Sequence, residues 1–166
     1  FIKTRMVSID KYRSNVGIVL FNKDADIWFG KRADIQSQSA WQMPQGGIDI
    51  NEPSLKAAIR ELYEETGIKS IKHISLIDKW IKYKLPVSIA ENKWQGKYVG
   101  QMQKWYLFYF CGEDSEVNIN ISKIPEFSEW KWENSRYIEE NVTDFRKSIY
   151  RTVFKKFDVD IKNALN

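Results

Sequence analysis

The stretch GGIDINEPSLKAAIRELYEETGI, residues 46–68, decides the fold. Its second half carries apolar residues at helical spacing and predicts a helix over residues 53–66. Pro53 suits the first helical position, and Gly67 suits the left-handed residue that ends a helix. The positions expected to face the core recur every three to four residues: Leu55, Ala58, Ile59 and Leu62.

Three glutamates, Glu61, Glu64 and Glu65, crowd the last turns of this helix. Each like-charged pair costs roughly 0.2–0.5 kcal/mol, and each anion opposes the helix dipole by roughly 0.3–1 kcal/mol. One interpretation is a solvated charged face, because glutamate is a good helix former. The other is a divalent cation site, since a cation removes both penalties. Oxygen ligands favour Mg²⁺, with Mn²⁺ possible.

The N-terminal half outside this stretch is rich in strand-like runs. VGIVLF (16–21) and IWFGKR (27–32) predict a β-hairpin around the turn NKDAD. SAWQMPQGG (39–47) is a loop or a short strand, and IKHISLIDKWIKYKLP (71–86) is one or two strands.

The C-terminal half predicts two strands and a second helix. KWYLFYFCG (104–112) reads as a buried central strand, and Cys111 within it is expected to be buried. SEWKWEN (128–134) alternates as a half-buried strand does, and a helix capped by Thr143 follows. The chain is therefore expected to be a single α/β domain over residues 1–166, with its core at about 10–160.

The composition limits the class of protein, the kind of metal site and the kind of substrate that can be expected. No apolar run approaches the roughly 20 residues that span a bilayer, and the opening FIKTRMVSID lacks the apolar core of a secretory signal. The single cysteine fits a reducing cytoplasm. One histidine and one cysteine cannot form a typical zinc site, so any metal is held by oxygen. A net charge of +4 around an acidic helix suits a polyanionic substrate.

The spacing across residues 46–68 fits the pattern G-x5-E-x7-R-E-U-x-E-E-x-G-U at every fixed position, where U is a bulky aliphatic residue. In this respect the chain resembles the Nudix hydrolases. The resemblance implies an α/β/α sandwich with a mixed β-sheet, a loop–helix–loop and a C-terminal helix. It also implies Mg²⁺-dependent hydrolysis of a nucleoside diphosphate linked to another group.

The same resemblance assigns roles to the matching residues. It makes Glu61, Glu64 and Glu65 the metal ligands, with Glu64 or Glu65 as the general base. Gly46 would bring the backbone close to the metal. Glu52 and Arg60 would form a supporting ion pair.

Motifs outside this stretch are similar to those of the bacterial RNA pyrophosphohydrolases, also described as dinucleoside polyphosphate hydrolases. They are YRSNVGIVLFN (12–22), SAWQMPQGGI (39–48), YKLP (83–86), GQMQKWYLF (100–108) and PEFSEWKW (125–132). The likeness implies that pyrophosphate is removed from triphosphorylated RNA 5′ ends, or that dinucleoside tetra- and pentaphosphates are cleaved asymmetrically to give ATP. It implies that Glu126 approaches the metal as a further catalytic carboxylate. No DNA or membrane partner is expected.

Several polar residues are possible substrate contacts or ordinary surface groups. The cations are Arg13, Arg32, Lys82, Lys84 and Lys104, because arginine and lysine bind polyphosphates. Gln45 lies beside the glycines of the loop, and Tyr83 either stacks on a base or packs in the core.

Three departures put the substrate preference in doubt, though not the reaction. Ser14 replaces the usual proline, KRADIQSQSAWQ is longer than usual, and VSIAENKWQGKYV (87–99) matches nothing in the family pattern. The alternatives are a family member acting on a small nucleotide such as ADP-ribose, which the flanking motifs disfavour, and a non-catalytic RNA- or nucleotide-binding module. The complete set of glutamates disfavours the second.

Overall fold

The computed structural model describes residues 11–37 and 40–166. The predicted domain also spans residues 1–10, and the motif at 39–48 begins at Ser39; both of these parts lie outside the described residues. None of the described helices is long and apolar enough to cross a membrane.

The predicted hairpin is present. Strands β1 (Tyr12–Phe21) and β2 (Ile27–Arg32) are antiparallel, with Phe21 opposite Ile27. The Asn22 side chain closes the turn by accepting hydrogen bonds from the backbone N–H groups of Asp24 and Asp26, at 3.0 and 3.1 Å. An asparagine that bonds its own turn in this way is a common cause of a chain reversal.

Five further strands complete a seven-stranded mixed sheet. They are β3 (Trp41–Gln42), β4 (Gln45–Gly47), β5 (Ile71–Lys84), β6 (Gly100–Phe110) and β7 (Phe127–Glu133). The order is β3-β2-β1-β6-β5, with β4 paired to β1 and β7 paired to β2. Only the β1–β6 pairing is parallel among these described strands. The central position predicted for β6 is confirmed, and residues 71–84 form one strand with two register shifts.

The two long helices cover opposite faces of this sheet. They are α1 (Ser54–Thr66) and α4 (Asp144–Leu165). Even-numbered β1 residues such as Ile18 share a core cluster with Leu62 of α1, whereas Val19 and Phe21 share another with Val153 of α4. Alternate strand residues point to opposite faces, so one strand contributes to both layers. The expected α/β/α sandwich is confirmed.

Short helical segments fill the connections. These are α2 (Val87–Ala90), α3 (Ser135–Glu140) and the 3₁₀ turns Trp94–Gly96 and Asp114–Glu116. Thr143 is the N-cap residue of α4 as predicted, although its side chain makes no capping hydrogen bond.

Helix α1 lies on the sheet in a different rotation from the predicted one. Pro53 is its N-cap rather than its first residue, and Gly67 ends it at φ 74° as predicted. Ile59 is 43% exposed, so its placement in the core was wrong; the buried side chains are Ala57, Ala58, Leu62, Glu65 and Thr66. Small alanines let the helix approach the sheet closely along this line, and the rotation carries Glu65 inside.

The prediction that Cys111 is buried was also wrong. Strand β6 ends at Phe110, and Cys111 lies just beyond it with an exposed side chain. The apolar run that precedes Cys111 is buried in the sheet, but Cys111 follows the end of the strand and is therefore exposed.

Arg60 ties the loop before α1 to the helix. Its Nε and Nη2 donate to the two carboxylate oxygens of Glu52 at 2.8 and 2.9 Å, and Nη2 also donates to the Gly47 carbonyl at 2.9 Å. Glu52 Oε1, which accepts from Arg60 Nη2, also accepts a hydrogen bond from the Asp49 N–H at 3.0 Å. These hydrogen bonds, above all those from Arg60, lower the pKa of Glu52 to about 2. The ion pair expected between Glu52 and Arg60 is thus present.

We expect Glu52→Gln to destabilise the protein by roughly 1–2 kcal/mol at pH 7, because hydrogen bonds to charged groups contribute about 1.5–3 kcal/mol before solvent screening. The pKa of Glu52 is depressed, so its contribution is present above the ordinary value of 4.5 and is lost as the pH falls through about 2. Urea unfolding of both proteins at several pH values should give a difference that shrinks below pH 5. Glu140→Gln, at an exposed pair with Arg136, is the control and should change stability by less than about 0.5 kcal/mol.

A second expectation concerns the thiol. Ellman's reagent should modify Cys111 in the native protein at a rate comparable to that of the urea-unfolded chain, because the side chain is exposed. A thiol that reacts only after unfolding would place Cys111 back in the core.

Candidate active site

Glu61 sits against the glycine loop at the base of a cavity of about 220 Å³. A Cβ atom on Gly46 would overlap the Glu61 carboxylate, so only glycine permits this approach. Burial raises the pKa of Glu61 to about 7, although the adjacent Arg60 opposes the shift. Arg60 Nη1 donates to Glu61 at 2.9 Å and to Glu64 at 3.2 Å.

Glu65 is the most buried acid at this cavity, with 6% of its surface exposed. Its Oε2 atom has no hydrogen-bond partner within the described parts of the chain. Burial raises the pKa of Glu65 well above its ordinary value, and Glu126 and Glu61 add to the rise. Burial and two acidic neighbours both disfavour the ionised form of this carboxyl group, so its charge is costly in this position.

Glu126 reaches the same cavity from the turn before β7. Its carbonyl accepts a hydrogen bond from the Ala33 N–H at 2.9 Å, which fixes the turn beside the end of β2. Glu64 lies on the exposed side of α1, outside the cavity lining. The structure therefore brings Glu61, Glu65 and Glu126 together and leaves Glu64 at the rim.

The carboxylates are not yet arranged as a metal shell. Within residues 11–37 and 40–166, no three acidic, histidine or cysteine groups are gathered closely enough to hold an ion. The nearest cation is Arg60 Nη1, which bonds both Glu61 and Glu64. An ion would have to draw these two side chains away from the guanidinium.

Cations also line the cavity. Arg13, Arg32 and Lys93 all belong to its wall. Arg32 is held by Asp34, to which its Nε donates at 2.9 Å. Burial lowers the pKa of Lys93, with Arg32 and Arg146 contributing. The cavity is thus lined both by a cationic wall and by an acidic wall, the latter formed by Glu61, Glu65 and Glu126.

An amide network forms part of the remaining wall. Gln103 Nε2 donates to Asn15 Oδ1 at 2.8 Å and to Gln45 Oε1 at 3.2 Å, and Trp105 Nε1 donates to Gln103 Oε1 at 3.2 Å. Gln101 is 2% exposed and borders the cavity, and its Oε1 has no partner among the described residues. Side-chain amides thus hold Gln45 at the cavity, as expected from its place beside the glycines.

Tyr83 packs rather than opening onto the cavity. Its ring stacks on Phe145 with centroids 6.1 Å apart, and it borders the core cluster of α4. Burial raises the pKa of Tyr83 to about 12, which keeps the hydroxyl protonated. Of the two interpretations of Tyr83, stacking on a base and packing in the core, this geometry favours packing.

Three of the predicted cationic contacts, Lys82, Lys84 and Lys104, lie outside the cavity lining. Lys82 Nζ stands 5.5 Å from the Tyr12 ring centroid. Lys104 pairs with Asp78 at 3.6 Å and stands 4.9 Å from the Trp80 ring centroid. Lys84 lines a neighbouring groove. Lys104 lies three positions after the cavity residue Gln101 on β6, and residues an odd number of positions apart along a strand point to opposite faces.

Four cavity residues were not anticipated: Asn15, Lys93, Trp94 and Gln101. Asn15 and Gln101 lie within the quoted motifs, so their polarity inside strand runs was an available signal. Lys93 and Trp94 belong to the stretch that matched no family pattern, so nothing in the sequence marked them.

Comparison with known proteins agrees with this architecture. The NUDIX domain profile matches residues 11–153. The RNA pyrophosphohydrolase of Wolbachia sp. subsp. Drosophila simulans (strain wRi) is 46% identical over 153 residues, which are 92% of this chain and 93% of that protein. The RNA pyrophosphohydrolase of Pelagibacter ubique (strain HTCC1062) is 46% identical over 154 residues, 93% of this chain and 94% of that protein.

Solved structures share the fold at lower identity. The E. coli dihydroneopterin triphosphate pyrophosphohydrolase matches with a TM-score of 0.67 and 15% identity, over 85% of this chain and 95% of that one. A C. elegans Ap4A hydrolase complex matches with a TM-score of 0.60 and 20% identity, over 87% and 98% of the two chains. The profile match over most of the chain, joined to relatives aligned over nearly their whole length, shows that this protein belongs to the NUDIX family.

Proposed function

We propose that this protein is a hydrolase that removes pyrophosphate from the 5′ triphosphate of RNA and works with a divalent cation. The observation that carries the proposal is the cavity itself, which is lined by Glu61, Glu65 and Glu126 together with Arg13, Arg32 and Lys93. Relatives that are 38–46% identical over most of the chain and are named RNA pyrophosphohydrolase support the choice of substrate. A cytoplasmic location, where RNA is made, belongs to the same proposal.

Carboxylate oxygens are the ligands that a hard divalent cation prefers. Members of the NUDIX family generally use divalent metals, and oxygen ligands without histidine or cysteine favour Mg²⁺, with Mn²⁺ or another divalent ion able to substitute. Glu61, Glu65 and Glu126 would hold it, with Glu64 and the backbone of Gly46 beside them. The partnerless Oε2 of Glu65 and the raised pKa values of Glu61 and Glu65 are the features of carboxylates that await a cation. When bound, the ion neutralises phosphate charge and makes a water more acidic.

The chain's own residues supply the rest of the reaction. Arg13, Arg32 and Lys93 would bind the phosphate oxygens and align the anhydride against the acidic wall. A carboxylate must also accept a proton from the attacking water. Glu64 and Glu65 are the two possible bases, and the placement of Glu65 in the cavity lining favours it.

Dinucleoside tetra- and pentaphosphates are a second class of substrate. The cavity would recognise a polyphosphate, and the groove beside it has room for a second nucleoside. In that reaction the products would be ATP and the remaining nucleotide. A panel of 5′-triphosphorylated RNA, diadenosine tetraphosphate, ADP-ribose and nucleoside triphosphates separates these substrates from the small-nucleotide alternative, and a protein inactive on all of them would be a binding module.

We expect chelation to abolish pyrophosphate release from 5′-triphosphorylated RNA, and Mg²⁺ or Mn²⁺ to restore it. The acidic wall cannot approach a polyanion without a cation, and Arg60 is already bonded to Glu52, Glu61 and Glu64. Phosphate release is measured after exhaustive EDTA treatment and again after each metal is added. Full activity in EDTA would contradict the proposed metal dependence.

For Glu126→Gln we expect kcat to fall by about ten- to a thousandfold with a smaller change in KM, because removing one transition-state interaction has an effect of that order. Glu129→Gln is a matched control, since Glu129 lies three residues further on and pairs with Lys31 at the surface. Steady-state kinetics of the two variants test the assignment. If Glu126→Gln and Glu129→Gln have the same kcat and KM, Glu126 is a loop carboxylate without a catalytic role.

A further inference from the structure

A groove of about 580 Å³ adjoins the active-site cavity. Its lining combines lysines, tyrosines and aliphatic residues: Lys11, Tyr12, Lys84, Leu85, Val87 and Tyr98. Its walls are the start of β1, the end of β5 and the segment 86–99. The proposed removal of pyrophosphate from RNA assigns no role to this groove.

The surface around the groove is strongly positive. We call Lys11, Lys82, Lys84, Lys93 and Lys97 the lysine face. Across residues 11–37 and 40–166, none of the five forms an ion pair with an acidic side chain. Residues 79–104 hold six lysines and a single acid, Glu91. Glu91 lines the groove itself, but one acid among this many unpaired lysines leaves the surface positive, which favours a polyanionic ligand.

Aromatic rings are interleaved with these lysines. Lys82 Nζ stands 5.5 Å from the Tyr12 ring centroid, and Lys97 Nζ stands 5.3 Å from that of Tyr98. Both tyrosines line the groove. Surfaces that bind single-stranded nucleic acid combine cations for the backbone with aromatic rings for the bases.

The segment 86–99 borders both the groove and the cavity. Glu91 and Gly96 line the groove, whereas Lys93 and Trp94 line the cavity. The segment 86–99 is fixed there by backbone hydrogen bonds, from Val99 N–H to the Lys11 carbonyl at 2.8 Å and from Leu85 N–H to the Val99 carbonyl at 3.0 Å. A chain whose end occupied the cavity would therefore meet the groove next.

Trp94 stands at the boundary in an unusual conformation. Its φ is 50°, and that of Gln95 is 59°, values that bulky residues rarely adopt. The Trp94 ring contacts the Arg13 guanidinium and the Lys93 ammonium, each 5.2 Å from its centroid. A strained backbone that holds two cavity cations on one ring is typical of a functional position.

We propose that the lysine face and its groove bind the RNA chain that follows the 5′ triphosphate, with the lysines on its phosphates and the tyrosines against its bases. The proposal rests on the function proposed above. Charge distinguishes a polymer from a dinucleoside polyphosphate, because the latter would place an uncharged nucleoside where these lysines lie. A groove built for RNA instead meets a phosphate with every nucleotide.

The test is the double variant Lys11→Gln/Lys97→Gln, compared with Lys155→Gln/Lys162→Gln. The control removes the same charge from exposed lysines of α4 that form no ion pair within the described chain. Each protein hydrolyses a 5′-triphosphorylated dinucleotide and a single-stranded 5′-triphosphorylated decamer. Thermal melts verify that all three proteins are folded.

We expect the ratio of kcat/KM for the decamer to that for the dinucleotide to fall roughly three- to tenfold in the groove variant and less than twofold in the control. The slope of log kcat/KM for the decamer against log salt should become shallower by about 1–1.5, since each phosphate contact to single strands contributes about 0.7. Equal ratios and equal slopes in variant and control would overturn the groove proposal while the proposed function stands.

Binding separates the two proposals if hydrolysis fails. A wild-type protein that hydrolyses neither triphosphorylated RNA contradicts the proposed function. Fluorescence anisotropy of a 5′-monophosphorylated decamer in EDTA still tests the groove. Weaker binding by Lys11→Gln/Lys97→Gln than by the control supports the groove, and equal binding overturns it.

Discussion

The guanidinium of Arg60 is the interaction on which the rest of the active site depends. It fixes the loop through Gly47 and Glu52 and contacts two of the glutamates through Nη1. A planar group with five donors can hold a loop and a helix face together in one plane, which a lysine ammonium cannot do. Because Gly46 and Gly47 are held there, the Glu61 carboxylate can lie against backbone rather than against a side chain.

Much of the fold followed from local patterns in the sequence. The hairpin, the central strand and the loop–helix stretch are set by alternation, turn residues and caps, which act over a few positions. The rotation of α1 did not follow, because Ala57 and Ile59 are both compatible with an apolar stripe and close packing on the sheet decides between them. Cys111 was misplaced because its burial depends on where β6 ends.

The residues of the candidate site also fall into those that local sequence patterns predicted and those that they did not. Spacing predicted Glu61, Glu64 and Glu65 as one cluster, since helical periodicity converts spacing into position, and the structure places Glu61 and Glu65 at the cavity but Glu64 outside its lining. Contacts made across the fold were harder to anticipate. Lys84 and Lys93 are both lysines near a tyrosine or tryptophan in the sequence, yet only Lys93 reaches the cavity. The backbone turn at Trp94 makes that difference, and no local pattern encodes it.

Helix α1 tolerates three glutamates at the negative end of its dipole because hydrogen-bond donors satisfy the backbone carbonyls at that end. The Gly67 N–H reaches the Tyr63 carbonyl at 2.8 Å, and the Thr66 hydroxyl reaches the Leu62 carbonyl at 2.6 Å. Donors from a distant loop reach two more carbonyls, those of Glu64 and Thr66, at 3.0 and 2.7 Å.

Unsatisfied terminal carbonyls carry most of the negative pole, so donors that satisfy them reduce the repulsion that the glutamates feel. The donors from the loop are the Ser122 hydroxyl and the Asn118 N–H, both remote from the helix in sequence. The fold therefore stabilises the helix end with neutral hydrogen bonds and leaves the carboxylates of Glu61 and Glu65 to face the cavity. Arg60 balances part of their charge through Glu61, and Oε2 of Glu65 has no hydrogen-bond partner among the described residues.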